Sequence, residues 1–125
     1  MSESKKKILV IEDETDLVDG LRMRLESSGF EMTTAADGAE GLRKARGENP
    51  DLIILDIRLP KMDGYKVCRM LKFDEKYEKI PIIMLTARVQ QADIAMGKEA
   101  GADAYITKPY KSEELMAKIK ELLPN

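Results

Sequence analysis

Residues 51–56 read Asp51-Leu52-Ile53-Ile54-Leu55-Asp56, four aliphatic residues in a row set between two acids and preceded by Pro50. A continuously apolar run too short for a helix is the mark of a strand covered on both faces, as in a parallel sheet clothed by helices. Upstream, Ile8 to Ile11 has the same character; downstream, so does Ile80 to Leu85. Met32 to Ala36 and Ala104 to Thr107 are weaker runs and read as peripheral strands. Between the runs the apolar period lengthens to that of a helix, in Leu17, Val18, Leu21 and Leu25 and again in Leu115, Met116, Ile119, Leu122 and Leu123. The punctuation agrees: Gly29 follows the first helix, Asp37 and Glu40 stand at capping-box spacing before the second, Pro50 follows it, Gly101 follows the fourth and Ser112 precedes the fifth. Strand and helix alternating in this way, with right-handed crossovers, place helices on both faces of a five-stranded parallel sheet, a doubly wound α/β domain.

The chain has 125 residues, 43% hydrophobic and 35% charged, which suits one domain spanning 1–125 and leaves no room for a second. Its formal charge of -2 argues against direct nucleic-acid binding driven by overall positive charge. The absence of histidine excludes Ser-His-Asp catalysis, His-ligated zinc and a phosphohistidine donor. Lone Cys68, inside an apolar helical pattern, reads as a small buried thiol and suits a reducing compartment. The basic start, Lys5 to Lys7, leads straight into the first strand without a signal-peptide core, and no apolar run could span a bilayer, so the expectation is a cytoplasmic protein that does not engage membranes.

Ligands of open α/β sheets bind beyond the carboxyl ends of the strands, near the point where strand order reverses. The residues found there are Glu12 and Asp13 after the first strand, Asp56 at the end of the third, Thr86 at the end of the fourth, and Lys108 then Pro109 after the fifth. Three carboxylates at one edge repel each other unless a cation compensates, and Mg²⁺ is the hard, oxygen-seeking ion suited to them. Asp13 and Asp56 are candidate direct ligands, with Glu12 acting through water. Lys108 supplies a point charge for a carboxylate or a phosphoryl oxygen, and Thr86 a hydroxyl donor. An aspartate so placed can be the nucleophile of phosphoryl transfer, which makes Asp56 the candidate phosphoacceptor.

The motifs Val10-Ile11-Glu12-Asp13-Glu14, Asp51 to Asp56, Leu59-Pro60-Lys61-Met62-Asp63-Gly64, Ile83-Met84-Leu85-Thr86-Ala87, Gly101-Ala102-Asp103 and Ile106-Thr107-Lys108-Pro109-Tyr110 together resemble the receiver domain of two-component response regulators, including its chemotaxis members. The resemblance runs from about Lys6 to Leu123, a core of 6–123. It implies the flavodoxin-like strand order 2-1-3-4-5, which the periodicity alone leaves open. It also implies that Asp56 takes a phosphoryl group from a sensor histidine kinase or phosphotransfer protein, and that Glu12, Asp13, Asp56 and the Arg58 backbone carbonyl form the pocket for Mg²⁺, with Mn²⁺ as a substitute. Thr86, the Ala87 backbone and Lys108 are implied to contact the phosphoryl group, and Pro109 to follow a cis peptide bond.

Small Ala87 leaves a donor's path to Asp56 open, and Arg58 and Arg88, bordering the site, are candidates for tuning the phosphoryl lifetime. Tyr105 matches the family's switch aromatic, turning inward as Thr86 moves and altering the surface of the fourth helix, fifth strand and fifth helix, about 91–120. That surface would serve a downstream protein partner, a C-terminal effector domain, or a homodimer formed on phosphorylation. Tyr110 reads as loop packing, and Met23, Met70, Met96 and Met116 as core or near-core filler. Such a domain assists its own phosphorylation and dephosphorylation but is a regulator rather than an enzyme. The rival readings are a receiver-like interaction module without phosphorylation, a flavodoxin-like cofactor binder, and an Asp-nucleophile phosphatase. The acidic loop Glu12-Asp13-Glu14 disfavours a flavin phosphate, and Arg58 stands where such a phosphatase keeps its second Asp.

Overall fold

The computed structural model describes residues 5–59, 62–87 and 91–123, the last range by backbone alone at 91–94. Strands and helices alternate along the chain: β1 (Lys7–Ile11), α1 (Thr15–Ser27), β2 (Glu31–Ala35), α2 (Gly38–Glu48), β3 (Leu52–Asp56), α3 (Gly64–Lys72), β4 (Ile82–Thr86), α4 (Gln91–Glu99), β5 (Ala104–Thr107) and α5 (Ser112–Leu122). All strand pairs are parallel, and the sheet order is β2-β1-β3-β4-β5. The chain steps outward from β1 to β2, then returns past β1 to β3, so the order reverses between β1 and β3. That reversal opens a crevice at their carboxyl ends.

The central strands owe their uniform apolarity to burial on both sides. Leu9, Ile11, Ile53, Leu55, Ile82 and Met84 face a core closed by Leu42 and Ala45 of α2 and Val67, Cys68 and Leu71 of α3. The alternate residues Ile8, Val10, Ile54, Ile83 and Leu85 face a second core closed by Leu21 and Leu25 of α1 and Leu115, Met116 and Ile119 of α5. Each fully buried aliphatic side chain contributes about 1.5–3 kcal/mol by leaving water. Cys68 is buried, its thiol faces the Ala100 carbonyl at 3.4 Å, and burial pushes its pKa up to about 12, so it is the inert thiol expected.

Several local expectations need correction. β4 starts at Ile82, not Ile80, because Pro81 has no N–H to donate and Ile80 is bonded back into a turn through Tyr77 O at 3.0 Å. β2 starts one residue early, at Glu31, whose N–H bonds Lys6 O. Ser112 is the first residue of α5 rather than its cap; the cap is Lys111, whose carbonyl accepts from Glu114 and Leu115 N–H without any side-chain bond. Met23 is 76% exposed and Met96 44% exposed, so neither fills a core. Met23 lies two residues from both Leu21 and Leu25, hence on the opposite side of α1. Met70 and Met116 do pack against the cores. The second helix starts as expected: Asp37 Oδ1 accepts from Glu40 N–H at 2.8 Å while Glu40 Oε1 accepts from Ala36 N–H at 2.9 Å. It ends on Asn49 in the left-handed conformation, φ 54°, ahead of Pro50.

Candidate functional site

The strand ends converge as the sheet order requires. Glu12 is fixed beyond β1 by its N–H bond to Ala35 O at 3.0 Å, and its buried carboxylate accepts from Glu14 N–H at 3.1 Å and from Lys108 Nζ at 3.0 Å. Asp56, last residue of β3 and 7% exposed, has Oδ1 facing Arg58 N–H at 3.4 Å and Oδ2 at 3.6 Å from Lys108 Nζ. Asp13 is exposed beside them, and ligand oxygens of Glu12, Asp13 and Asp56 all lie within 4.8 Å of one another. Thr86, buried at the end of β4, presents its carbonyl to Lys108 N–H at 2.6 Å. The Lys108–Pro109 peptide is cis, in line with the resemblance, and Lys108 reaches back over the acids.

Charge and burial act together here. Burial is the main cause that lifts the Glu12 pKa above its ordinary 4.5, and the Asp56 charge adds to the lift; the Lys108 bond and Glu14 N–H pull the other way. For Lys108, burial opposes the charged form, yet the Glu12 hydrogen bond and the fields of Asp56, Glu12 and Glu14 prevail and raise its pKa above 10.5. Burial likewise raises the Tyr110 phenol, which packs against the α1/α5 core as expected for a loop-packing residue.

Three hard oxygen donors, two buried and one facing solvent, with the Lys108 ammonium partly offsetting them, fit a divalent cation that keeps part of its water shell. A cleft lined by Asp13, Arg58, Leu59, Asp63 and Met96 opens from this cluster to solvent. Ala87 is small and exposed and lines a separate cavity with Lys108, Pro109 and Tyr110, while Arg58 is exposed in the cleft. Arg88 lies outside the described residues. Tyr105 is half-buried; its ring lies against Gly97, and its hydroxyl is buried with no hydrogen-bond partner among the described residues.

Two supports escaped the reading of sequence. Asp63 caps α3 through Lys66 N–H at 2.9 Å, and Lys72 ties α3 to the start of β4 by bonding Asp103 Oδ2 at 2.9 Å and Ile80 O at 3.0 Å. Asp103 Oδ2 also accepts from Ile82 N–H at 2.8 Å. The motif Gly101-Ala102-Asp103 carries the signal for this tie, but its lysine partner stands a helix away in sequence.

The model of the response regulator receiver domain matches residues 8–120. The chain belongs to the response regulator receiver domain family. Among curated relatives, this receiver domain is 48% identical over 118 residues to the alkaline phosphatase synthesis transcriptional regulatory protein PhoP of Bacillus subtilis, covering 94% of this chain and 48% of that protein. It is 40% identical over 123 residues to the DNA-binding response regulator MtrA of Mycobacterium tuberculosis, covering 98% and 53%. The chain thus spans about half the length of the curated relatives it matches. Among solved structures, a putative response regulator from Chloroflexus aurantiacus superposes with a TM-score of 0.91 at 32% identity, covering 98% of this chain and 100% of that one. The signal receiver domain of a histidine kinase from Syntrophus aciditrophicus gives 0.90 at 38% identity, covering 95% and 90%. The receiver is therefore a regulatory domain of two-component signalling with the flavodoxin-like order 2-1-3-4-5. No helix among the described residues is long and apolar enough to cross a membrane.

Proposed function

We propose that this receiver domain takes a phosphoryl group on Asp56 from the phosphohistidine of a sensor kinase or phosphotransfer protein and uses it to switch its contacts. The observation that carries the reading is the convergence of Glu12, Asp13 and Asp56 within 4.8 Å, with Lys108 Nζ reaching Glu12 at 3.0 Å and Asp56 at 3.6 Å. In the transfer an Asp56 carboxylate oxygen attacks phosphorus, the donor's P–N bond breaks, and the imidazole leaves with the electron pair and takes up a proton from water. Asp56, anchored at the end of a fully buried strand, is held for in-line attack. Lys108 moves its ammonium from carboxylate to phosphoryl oxygen, and Thr86 and the Ala87 N–H donate to the same group. Mg²⁺, or Mn²⁺ in its place, would supply positive charge to offset that of the phosphoryl group. Its ligands would be Asp13, Asp56 and the Arg58 carbonyl, with Glu12 acting through water.

The signal leaves through Thr86 and Tyr105. Thr86 drawn toward the phosphoryl group changes the space available to Tyr105 and so the α4/β5/α5 face, where a downstream protein, a C-terminal effector domain or a second receiver engages. The names of the curated relatives, a transcriptional regulatory protein and a DNA-binding response regulator, support output through an effector domain acting on DNA in those proteins, and the receiver needs no nucleic-acid contact of its own. A cytoplasmic site of action agrees with a phosphoryl donor of this kind. Arg58, exposed at the cleft, and Arg88 shield the aspartyl phosphate from water. Decay of the phosphorylated protein is expected to quicken in Arg58→Ala and Arg88→Ala; unchanged decay discards that role. Phosphotransfer from a phosphohistidine protein to wild type but not to Asp56→Asn tests the main reading.

A further inference from the structure

Two glycines touch the described parts of the phosphoacceptor segment between β3 and α3, residues 57–59 and 62–63. Gly64, first residue of α3, closes it: its N–H bonds Ile57 O at 2.9 Å, and a Cβ there would overlap the Asp56 carbonyl oxygen and stand 2.8 Å from Ile57 Cα. Gly38, first residue of α2, touches the loop from outside. A Cβ at Gly38 would overlap the Met62 carbonyl oxygen and lie 2.9 Å from its carbonyl carbon and Cβ, closer than real Cβ atoms come to backbone. One side of that contact has to give.

The helix is not free to do so. Its first turn is fixed by the reciprocal bonds of Asp37 with Glu40 N–H and of Glu40 with Ala36 N–H. Its next turn is seated on the sheet at Gly41, where a Cβ would come within 2.8 Å of Ile11 Cγ1 and Cγ2, and Ile11 is fully buried. Leu42 and Ala45 continue the same buried seat. Met62, only half-buried and outside any helix or strand, with exposed Asp63 beside it, is the softer partner.

We propose that Gly38 is a positioning residue for the phosphoacceptor loop: by lacking a side chain it lets α2 abut the Met62 backbone and hold the loop, with the Arg58 carbonyl, in register with Asp13 and Asp56. The inference rests on the Mg²⁺ and Asp56 reading above. Supports of this kind, which hold a ligand without touching the ion, typically change metal affinity by about tenfold or more.

Mg²⁺ binding measured by calorimetry, beside thermal unfolding, separates positioning from mere stability. Gly38→Ala is expected to weaken Mg²⁺ binding about tenfold. Gly41→Ala, which strains the same helix against Ile11 but does not reach the loop, is expected to lower the unfolding temperature and leave Mg²⁺ affinity unchanged. Gly20→Ala, inside α1 with open space around the position, leaves Mg²⁺ affinity unchanged and raises the unfolding temperature, as alanine does in a helix interior. Equal Mg²⁺ affinity in Gly38→Ala and wild type overturns the proposal, as does an equal loss in Gly41→Ala. If Gly38→Ala does not fold, wild-type backbone amide shifts during a Mg²⁺ titration decide: Gly38 and Met62 are expected to move with the same midpoint as Ile57, and their standing still while Ile57 moves overturns it. Wild type that binds no Mg²⁺, or binding undiminished by Asp13→Ala, contradicts the acidic-pocket reading itself and this inference with it.

Discussion

Lys108 stands closer to Glu12 than to Asp56, 3.0 Å against 3.6 Å, so the ammonium is held mainly by the Glu12 carboxylate. On the proposed reading that arrangement leaves Asp56 available for phosphoryl transfer, with the ammonium beside it. The titration of Glu12 reports the balance. Its pKa is raised above 4.5, so between pH 4.5 and its native value the folded domain binds more protons than the unfolded chain. Its contribution to stability therefore falls as pH rises through that window and is level above it. Lys108, raised above 10.5, contributes stability that is present below 10.5 and lost as pH rises through its native pKa. Carboxyl-carbon NMR in Mg²⁺-free buffer should show Glu12 titrating above 4.5, moving further up in Lys108→Met and back down in Asp56→Asn. A Glu12 titration unmoved by either substitution contradicts the coupling. Most of these residues are legible in sequence because each ends a strand, and strand ends of a doubly wound sheet share one edge. The distances are not legible, and neither is Gly38, since its role arises from a backbone approach between segments that no periodicity connects.

At the scale of the element, the helices differ in what fixes them. α5 is seated by Leu115, Met116 and Ile119, all buried, and begins without a side-chain cap. Ile119→Ala should therefore destabilise by about 2–5 kcal/mol in denaturant unfolding. Met23→Ala, on the exposed side of α1, should stay within about 0.5 kcal/mol. α2 adds a side-chain cap to its buried seat of Gly41, Leu42 and Ala45, and Asp37→Ala should cost about 1 kcal/mol. A large loss in Met23→Ala, or none in Ile119→Ala, contradicts the assignment of buried faces. The capping box of α2 could be read directly because its two residues are local. Ser112 misled for the opposite reason: a serine ahead of an apolar run is a cap by local chemistry, but Lys111 and its carbonyl take the position once α5 is docked. Pro81 likewise shortens β4, a limit set by one absent N–H inside an otherwise continuous apolar run. The central strands β1, β3 and β4 are plain in sequence, since burial on both faces keeps their interiors apolar, whereas β2, with Glu31, Thr33 and Thr34, and β5 are only partly buried.

At the scale of the whole molecule, a single sheet carries two cores on its faces and a charged crevice at one end, so stability and function occupy different parts of the same strands. The three clustered carboxylates oppose one another, and a divalent cation held between them would relieve that repulsion. Mg²⁺ at about 100 times its Kd should add about 2.7 kcal/mol to unfolding free energy in wild type and much less in Asp13→Ala. The same thermal shift in both proteins would place the ion elsewhere. The account as a whole turns on Asp56 as the phosphoacceptor. Intact-mass measurement after incubation with Mg²⁺ and a small phosphodonor tests it most directly: wild type should gain one phosphoryl group and Asp56→Asn none, whereas an unmodified wild type, or an adduct that survives in Asp56→Asn, contradicts it.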